Sequence, residues 1–271
     1  MKELVFLKLG GSLITDKTRA FTVRGDILAS LAGQIASALR AHSDISLILG
    51  HGSGSFGHTV AREYHTRDGL RAAVDEPARY WRGFAEVWYQ ASTLNRFVLE
   101  ALHSAGVPAM TFSPAASIVS ANGRVLRWDL GSMRAALDAG IVPVVHGDVV
   151  FDTALGGTIL STEDLFEFLA VNMKPARILL AGLESAVWAD FPQRSVRVEK
   201  ITPATFAQIK SSVGASHGTD VTGGMESKVR QMLDLAEAMP GMTVQIFSGE
   251  EAASLARVLA GEHLGTVLVA D

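Results

Sequence analysis

Two glycine-rich stretches carry the residues best suited to chemistry in this chain. The longer is Gly50-His51-Gly52-Ser53-Gly54-Ser55-Phe56-Gly57-His58. It follows the apolar run Ile45-Ser46-Leu47-Ile48-Leu49, which reads as a buried strand, and precedes a helical stretch predicted to start near Thr59. Four glycines let a backbone turn sharply and present consecutive N–H groups to a ligand. A following helix N-terminus adds partial positive charge, so such a loop suits phosphate. His58 at its end offers a donor to a phosphate oxygen. The second stretch, Lys8-Leu9-Gly10-Gly11-Ser12, again follows a strand. Two glycine loops with a lysine and a histidine point to phosphoryl transfer between two bound phosphates.

Each feature has a plainer reading. Gly52, Gly54 and Gly57 spell GxGxxG, but a dinucleotide site also needs a following strand that ends in an acid. The region after Arg71 reads as helix instead. No GxxxxGK[ST] pattern occurs, which excludes a P-loop. Lys8 interrupts the apolar run Val5-Phe6-Leu7, where a buried lysine is costly without an anion; the alternative is an edge-strand lysine facing water. Lys17 gains weight only if it meets the same phosphate chain. Asp148, in His146-Gly147-Asp148, could orient lysine ammonium groups, hold a metal ion, or cap a turn. Ser161-Thr162-Glu163-Asp164 reads as a helix cap with acids in the first turn. Lys228 lies one turn into a helix behind Thr222-Gly223-Gly224-Met225, which suits a nucleotide phosphate or is a solvated lysine. His51 could bond backbone within its loop, while His65, His103, His217 and His263 read as surface.

These residues need a scaffold that gathers strand ends. Strands are predicted at Leu4–Leu9, Ile45–Leu49, Val107–Phe112, Ile141–Val145, Arg177–Leu180, Thr243–Phe247 and Thr266–Val269. Ile118 and Val125 flank Asn122-Gly123, a hairpin signal. Helices are predicted at 26–41, 76–105, 163–173, 224–237 and 251–261. In the second of these, Tyr80, Phe84, Val87 and Leu94 recur at helical spacing, which marks core and, on one side, an apolar cleft. Several strands end in or near glycine, where parallel α/β sheets bind ligands. The order predicts an open α/β sheet with helices on both faces. A linker between two lobes is expected near Asp152–Ser161, around Gly156-Gly157.

Composition limits the classes. The 271 residues are 48% hydrophobic and 19% charged, enough for a sizeable core in one large domain or two lobes. A net charge of −4 gives no reason to expect nucleic acid or an anionic membrane as partner. The absence of cysteine excludes disulfides and thiolate chemistry. The first apolar run is too short for a signal peptide or membrane span, so a cytoplasmic protein is expected.

Taken together, Lys8-Leu9-Gly10-Gly11-Ser12, Ser55-Phe56-Gly57-His58, His146-Gly147-Asp148 and Asp220-Val221-Thr222-Gly223-Gly224-Met225 resemble the amino acid kinase superfamily. Within it they look most like the isopentenyl phosphate kinases, whose loop-closing histidine is shared with the fosfomycin kinases. The resemblance runs over nearly the whole chain. It implies an αβα sandwich around a mainly parallel open sheet, in two lobes: residues 1–155 for the phosphate acceptor and 156–271 for ATP. It implies that His58 holds the phosphate of isopentenyl phosphate and that Lys8 and Lys17 neutralise the transferred group. Gly10, Gly11, Ser12 and Gly54 would cradle ATP phosphates. Gly182, Gly224 and Lys228 would touch the nucleotide, and Asp148 would keep the lysines in place. Ser53 would contact the acceptor, and Tyr80, Phe84, Val87, Val149 and Ile159 would flank its tail. Mg²⁺ is the expected metal, with no protein cage for it, and a homodimer is expected, with the 80–105 helix as interface. A kinase of another small phosphate or phosphonate, such as fosfomycin, and a non-catalytic nucleotide-binding relative are the alternatives. Two departures stand out. Gly182-Leu183-Glu184-Ser185-Ala186-Val187-Trp188 replaces a T-D-V-D-G-V-like stretch, and Ser161-Thr162-Glu163-Asp164 replaces S-G-D-D, placing Thr162 at the acceptor site.

Overall fold

Alternation along the first strand decides the layering. Val5, Leu7 and Leu9 enter one core, and Phe6 enters another across the same strand. A strand buried on both faces must lie inside a sheet covered on both sides. The computed structural model, which describes residues 2–73, 75–209 and 224–270, has that form.

In chain order the strands are β1 (Glu3–Leu9), β2 (Ile45–His51), β3 (Ala109–Thr111), β4 (Ile118–Ala121), β5 (Arg124–Trp128), β6 (Val142–His146) and β7 (Asp148–Asp152). They continue with β8 (Gly156–Leu160), β9 (Arg177–Gly182), β10 (Val187–Trp188), β11 (Arg197–Val198), β12 (Lys200–Ile201), β13 (Thr243–Ser248) and β14 (Thr266–Leu268). The helices are α1 (Gly11–Ile14), α2 (Gly25–Ala41), α3 (Gly54–Glu63), α4 (Pro77–Ser104), α5 (Pro114–Ser117) and α6 (Gly131–Asp138). After them come α7 (Thr162–Met173), α8 (Pro203–Ile209), α9 (Gly224–Ala238) and α10 (Ser254–Leu259).

Eight strands form one sheet in the order β12-β14-β13-β9-β1-β2-β6-β3. All its neighbours are parallel except β13 and β14. Side chains of α2, α4 and α10 pack on the Val5–Leu7–Leu9 face, and those of α6, α7 and α9 on the Phe6 face. This is the expected αβα sandwich.

A second sheet, β5-β4-β7-β8, stands beside the cavity described below. Asn122 and Gly123 both have positive φ, as a tight primed hairpin turn requires, and they join β4 to β5. The residues expected to form a linker, 152–161, instead make the turn of the β7–β8 hairpin and its second strand. Gly156 at φ +82 serves that turn. The expected helix start near Thr59 is also displaced: α3 begins at Gly54, so the last part of the glycine motif is already helical. Gly54 takes φ +51 at that entry.

Candidate functional site

The two glycine stretches leave the carboxyl ends of neighbouring strands, and their backbones touch. A Cβ on Gly11 would lie 2.5 Å from Gly54 N, and one on Gly52 would lie 2.8 Å from Gly11 N. Only glycine permits that approach. Thr15, one turn on, donates to Gly11 O at 2.7 Å and accepts from Ser55 N at 3.0 Å, locking the loops together.

They open onto a cavity of about 400 Å³. Lys8, Gly10, Gly11, Ser12, Lys17, Ser53 and His58 line it on the β1–β2 side. Gly182, Lys228 and Thr162 line it from the rest of the chain, and Val87 and Ile159 add apolar wall. Residues far apart in sequence are thus brought to one space. Gly54 instead packs under Gly11 and opens on a neighbouring surface cleft with Lys17 and His58. Tyr80, Phe84 and Val149 lie behind the wall, in a small core with Val60, Ala61 and Val87. Gly224 starts α9 in a positive-φ conformation and is buried, while Asp220–Gly223 lie outside the described residues.

Lys8 is held by a partner that sequence reasoning read only as a helix-cap acid. Alternation puts Lys8 on the Phe6 face of β1, toward the first turn of α7, where it forms an ion pair with Glu163. Both are buried. Burial pushes the Glu163 carboxyl upward, but the ammonium groups of Lys8 and Lys228 offset this and hold it below the usual carboxylate range. Glu163 thus sits in the field of two lysines, both lining the cavity. Its anchor is a capping box: Ser161 Oγ accepts from Asp164 N at 3.1 Å, and Asp164 Oδ2 accepts from Ser161 N at 2.7 Å. Thr162 donates its hydroxyl to His51 O at 2.7 Å, tying α7 to the end of β2.

Asp148 does not hold the lysines. It is fully buried, its Oδ1 accepts from Val149 N at 2.8 Å, and its Oδ2 lies 3.5 Å from His146 Nε2. Burial raises its carboxyl above the ordinary value. The His146 ring stacks on His51, with centroids 5.2 Å apart. Burial, with the neighbouring His146, lowers His51 to about 3, so it is neutral at pH 7. His51 lies 3.1 Å from both Gly52 O and Asn95 Oδ1, a supporting role under the loops.

The altered 182–188 stretch still faces the cavity. Glu184 accepts from Arg194 Nη2 at 2.7 Å and from Trp188 Nε1 at 3.1 Å, and Arg194 lies over the Phe191 ring. Among the described residues no group of three or more His, Asp or Glu side chains could hold a metal ion. No helix among them is long and apolar enough to cross a membrane.

Residues 3–248 match the family model described as the amino acid kinase family. The chain belongs to this family. The isopentenyl phosphate kinase of Methanothermobacter thermautotrophicus is 34% identical over 96% of this chain and 97% of that one. Its counterpart from Haloferax volcanii is 35% identical over 98% of each. A solved X-ray structure of an isopentenyl phosphate kinase superposes with a TM-score of 0.83 at 30% identity, covering 98% of this chain and 100% of that one. The αβα architecture and this membership make the chain a phosphotransferase of the amino acid kinase type.

Proposed function

We propose that the chain transfers the γ-phosphoryl group of Mg·ATP to isopentenyl phosphate, giving isopentenyl diphosphate and ADP. The observation that carries this reading is the single cavity in which Lys8, Lys17, Lys228 and His58 meet two touching glycine loops beside an apolar wall. The relatives named above act as isopentenyl phosphate kinases, which supports the acceptor.

In this reading His58 and Ser53, in the first turns around the start of α3, bind the acceptor phosphate. Gly10, Gly11 and Ser12 offer N–H groups to the ATP phosphates, and Gly54 permits the loops to meet. Gly182 and Gly224 flank the nucleotide. Val87 and Ile159 face the isopentenyl tail, with Tyr80, Phe84 and Val149 shaping the wall from behind and Thr162 fixing its floor. An oxygen of the acceptor phosphate attacks the γ-phosphorus, and the bond to the bridging oxygen breaks, leaving its electrons on ADP. The acceptor is already anionic and needs no general base. It needs relief of repulsion between anions, which Lys8, Lys17 and Lys228 give. The Mg²⁺ that accompanies ATP would be carried by the nucleotide rather than by a protein cage and would shield phosphate charge. Glu163 is a positioning residue that fixes Lys8 and lies in the field of Lys228.

Residues 1–155 form the acceptor lobe and 156–271 the nucleotide lobe in this proposal. A homodimer joined through α4, whose Trp88, Tyr89 and Phe97 are exposed, and a cytoplasmic site of action complete it.

A coupled ADP-release assay with Mg·ATP tests the reading, with isopentenyl phosphate, dimethylallyl phosphate and fosfomycin as acceptors and products identified by mass. Diphosphates from the isoprenoid phosphates are expected. Good turnover of fosfomycin with none of isopentenyl phosphate would overturn it.

A further inference from the structure

The corner between β2 and α3 holds a buried histidine to which the reaction scheme gives no task. His51 is fully buried, with its ring stacked on His146 at an interplanar angle of 5°. Its Nδ1 lies 3.1 Å from Gly52 O and its Nε2 lies 3.1 Å from Asn95 Oδ1, while Asn95 Nδ2 lies 2.6 Å from Thr111 Oγ1. Two carbonyl oxygens around one ring call for two N–H groups, which only an imidazolium has. Burial, with the neighbouring His146 and Lys8, lowers this ring to about 3 and keeps it neutral at pH 7. One ring nitrogen must therefore accept a hydrogen bond, and a main-chain carbonyl cannot donate one. The Nε2–H tautomer would set the Nδ1 lone pair against Gly52 O. The Nδ1–H tautomer donates to Gly52 O and leaves Nε2 to accept from the Asn95 amide. That amide is nearly symmetric in shape, so hydrogen bonding decides which end faces the ring. With its NH₂ toward Nε2, its oxygen accepts from the Thr111 hydroxyl, and every group in the row is satisfied.

The row ends on a peptide at the edge of the cavity, which Gly52 and Ser53 both line. That peptide is trans, so the Gly52 C=O and the Ser53 N–H point in opposite directions. The neighbouring backbone groups are already tied. His51 O accepts from Thr162 Oγ1 at 2.7 Å and Gly147 N at 3.2 Å, and Gly52 N donates to Leu9 O at 3.0 Å. Ser53 O accepts from Phe56 N at 3.2 Å and Gly57 N at 3.1 Å. Holding Gly52 O against a buried ring turns the Ser53 N–H the other way, and this N–H has no acceptor among the described residues.

We propose that His51, set in its Nδ1–H tautomer by Asn95, is a positioning residue that fixes the Gly52–Ser53 peptide and so presents the Ser53 N–H to an anion in the cavity. A donor fixed before the substrate arrives needs no reorganisation when charge is bound there. That the anion is the acceptor phosphate rests on the function proposed above.

The test compares wild type with His51→Asn, His51→Gln and His51→Leu. An asparagine amide nitrogen overlies Nδ1 and can still donate to Gly52 O, a glutamine amide nitrogen overlies Nε2 and cannot, and leucine donates nothing. His51→Leu and His51→Gln should raise the KM for isopentenyl phosphate about tenfold, His51→Asn should stay within about threefold of wild type, and the ATP KM should change little. Heteronuclear NMR of wild type labelled at the histidine ring nitrogens should place the His51 hydrogen on Nδ1 at pH 7, with the His51 signals identified by their loss in His51→Asn. A hydrogen on Nε2, or equal acceptor KM values in His51→Asn and His51→Gln, overturns the inference, since a ring that only fills space would not distinguish the two amides. A rise in the ATP KM in place of the acceptor KM, with the same order among the variants, would keep the role of His51 and overturn the assignment of Ser53 to the acceptor. If wild type does not turn over isopentenyl phosphate, the proposed function falls, and the imidazole spectrum still judges His51. KM does not depend on how much protein is folded, and the contrast of His51→Asn with His51→Gln stands without His51→Leu.

Discussion

His58 and Glu163 both stand near the start of a helix, but they act on opposite charges. His58 faces the cavity from α3 as a donor, and in the proposed reaction its partner is the acceptor phosphate. His58→Ala is therefore expected to raise the acceptor KM by about ten- to a hundredfold, the range of a hydrogen bond to a charged group, with the ATP KM little changed. Steady-state kinetics varying each substrate in turn would show it, and an unchanged acceptor KM would remove His58 from the site. Glu163 touches no substrate in this scheme; it holds Lys8 and lies in the field of Lys228. Glu163→Gln keeps the shape and removes the charge. Its kcat should fall about tenfold, roughly 1.4 kcal/mol in the barrier, as Lys8 loses its fixed position. Its ATP KM should not rise, since the site becomes more positive. A rise in both, in step with a loss of folded protein, would mean that Glu163 only supports the core. Sequence alone made His58 legible, because it closes a glycine loop, and Lys8, because it breaks an apolar strand. It hid Glu163, which looks like any acid in a first helical turn. It overvalued Asp148, whose position at a strand end implies chemistry although its side chain is buried beside His146 and does not line the cavity.

Asp152 shows why element boundaries were harder to read than elements. Seven of the eight strands of the large sheet stand out as apolar runs, β12 being the exception, and the Asn122-Gly123 hairpin stands out because positive φ favours those residues. Asp152–Ser161 carries an aspartate and a glycine pair that resemble a linker, yet it completes the β7–β8 hairpin because Asp152 organises the turn. Asp152 Oδ1 accepts from Ala154 N at 2.9 Å, Leu155 N at 2.8 Å and Asn122 N at 3.1 Å, while Oδ2 accepts from Gly123 N at 2.9 Å and Ser120 Oγ at 2.8 Å. One carboxylate thus closes two hairpin turns, which no local pattern reveals. Burial alone would raise its pKa, but these bonds hold it at about 2 against an ordinary 3.8. A depressed carboxyl stabilises the folded state fully above the unfolded value and loses that contribution as pH falls through the folded one. Asp152→Asn should therefore cost about 1–2 kcal/mol near neutral pH. The gap to wild type should narrow as pH drops from 3.8 toward 2. Urea unfolding of both proteins across that range is the measurement, and a gap independent of pH would exclude the carboxylate as its source.

The whole molecule joins the two proposed lobes through a central strand of its large sheet. β1 pairs with β2 on one side and with β9 on the other, so the sheet runs unbroken from the acceptor half into the nucleotide half. The two large cores lie on opposite faces of that sheet, and each draws on residues from both sides of position 155. Leu179, Phe247 and Leu255 share a core with Val5 and Leu47, while Phe6 and Ile48 share one with Leu165 and Val229. A division in function need not then be a division in folding, since unfolding either half alone would expose apolar faces of the other. The protein is expected to unfold in one cooperative transition despite its length, with far-ultraviolet circular dichroism and tryptophan fluorescence changing together. The fluorescence samples both halves, because Trp81, Trp88 and Trp128 lie before position 155 and Trp188 after it. A Trp188→Phe variant makes the comparison strict by confining the signal to the first half. Its fluorescence midpoint should still coincide with the circular dichroism midpoint, and a separate, earlier or later transition would show that the halves fold as independent units despite the shared sheet.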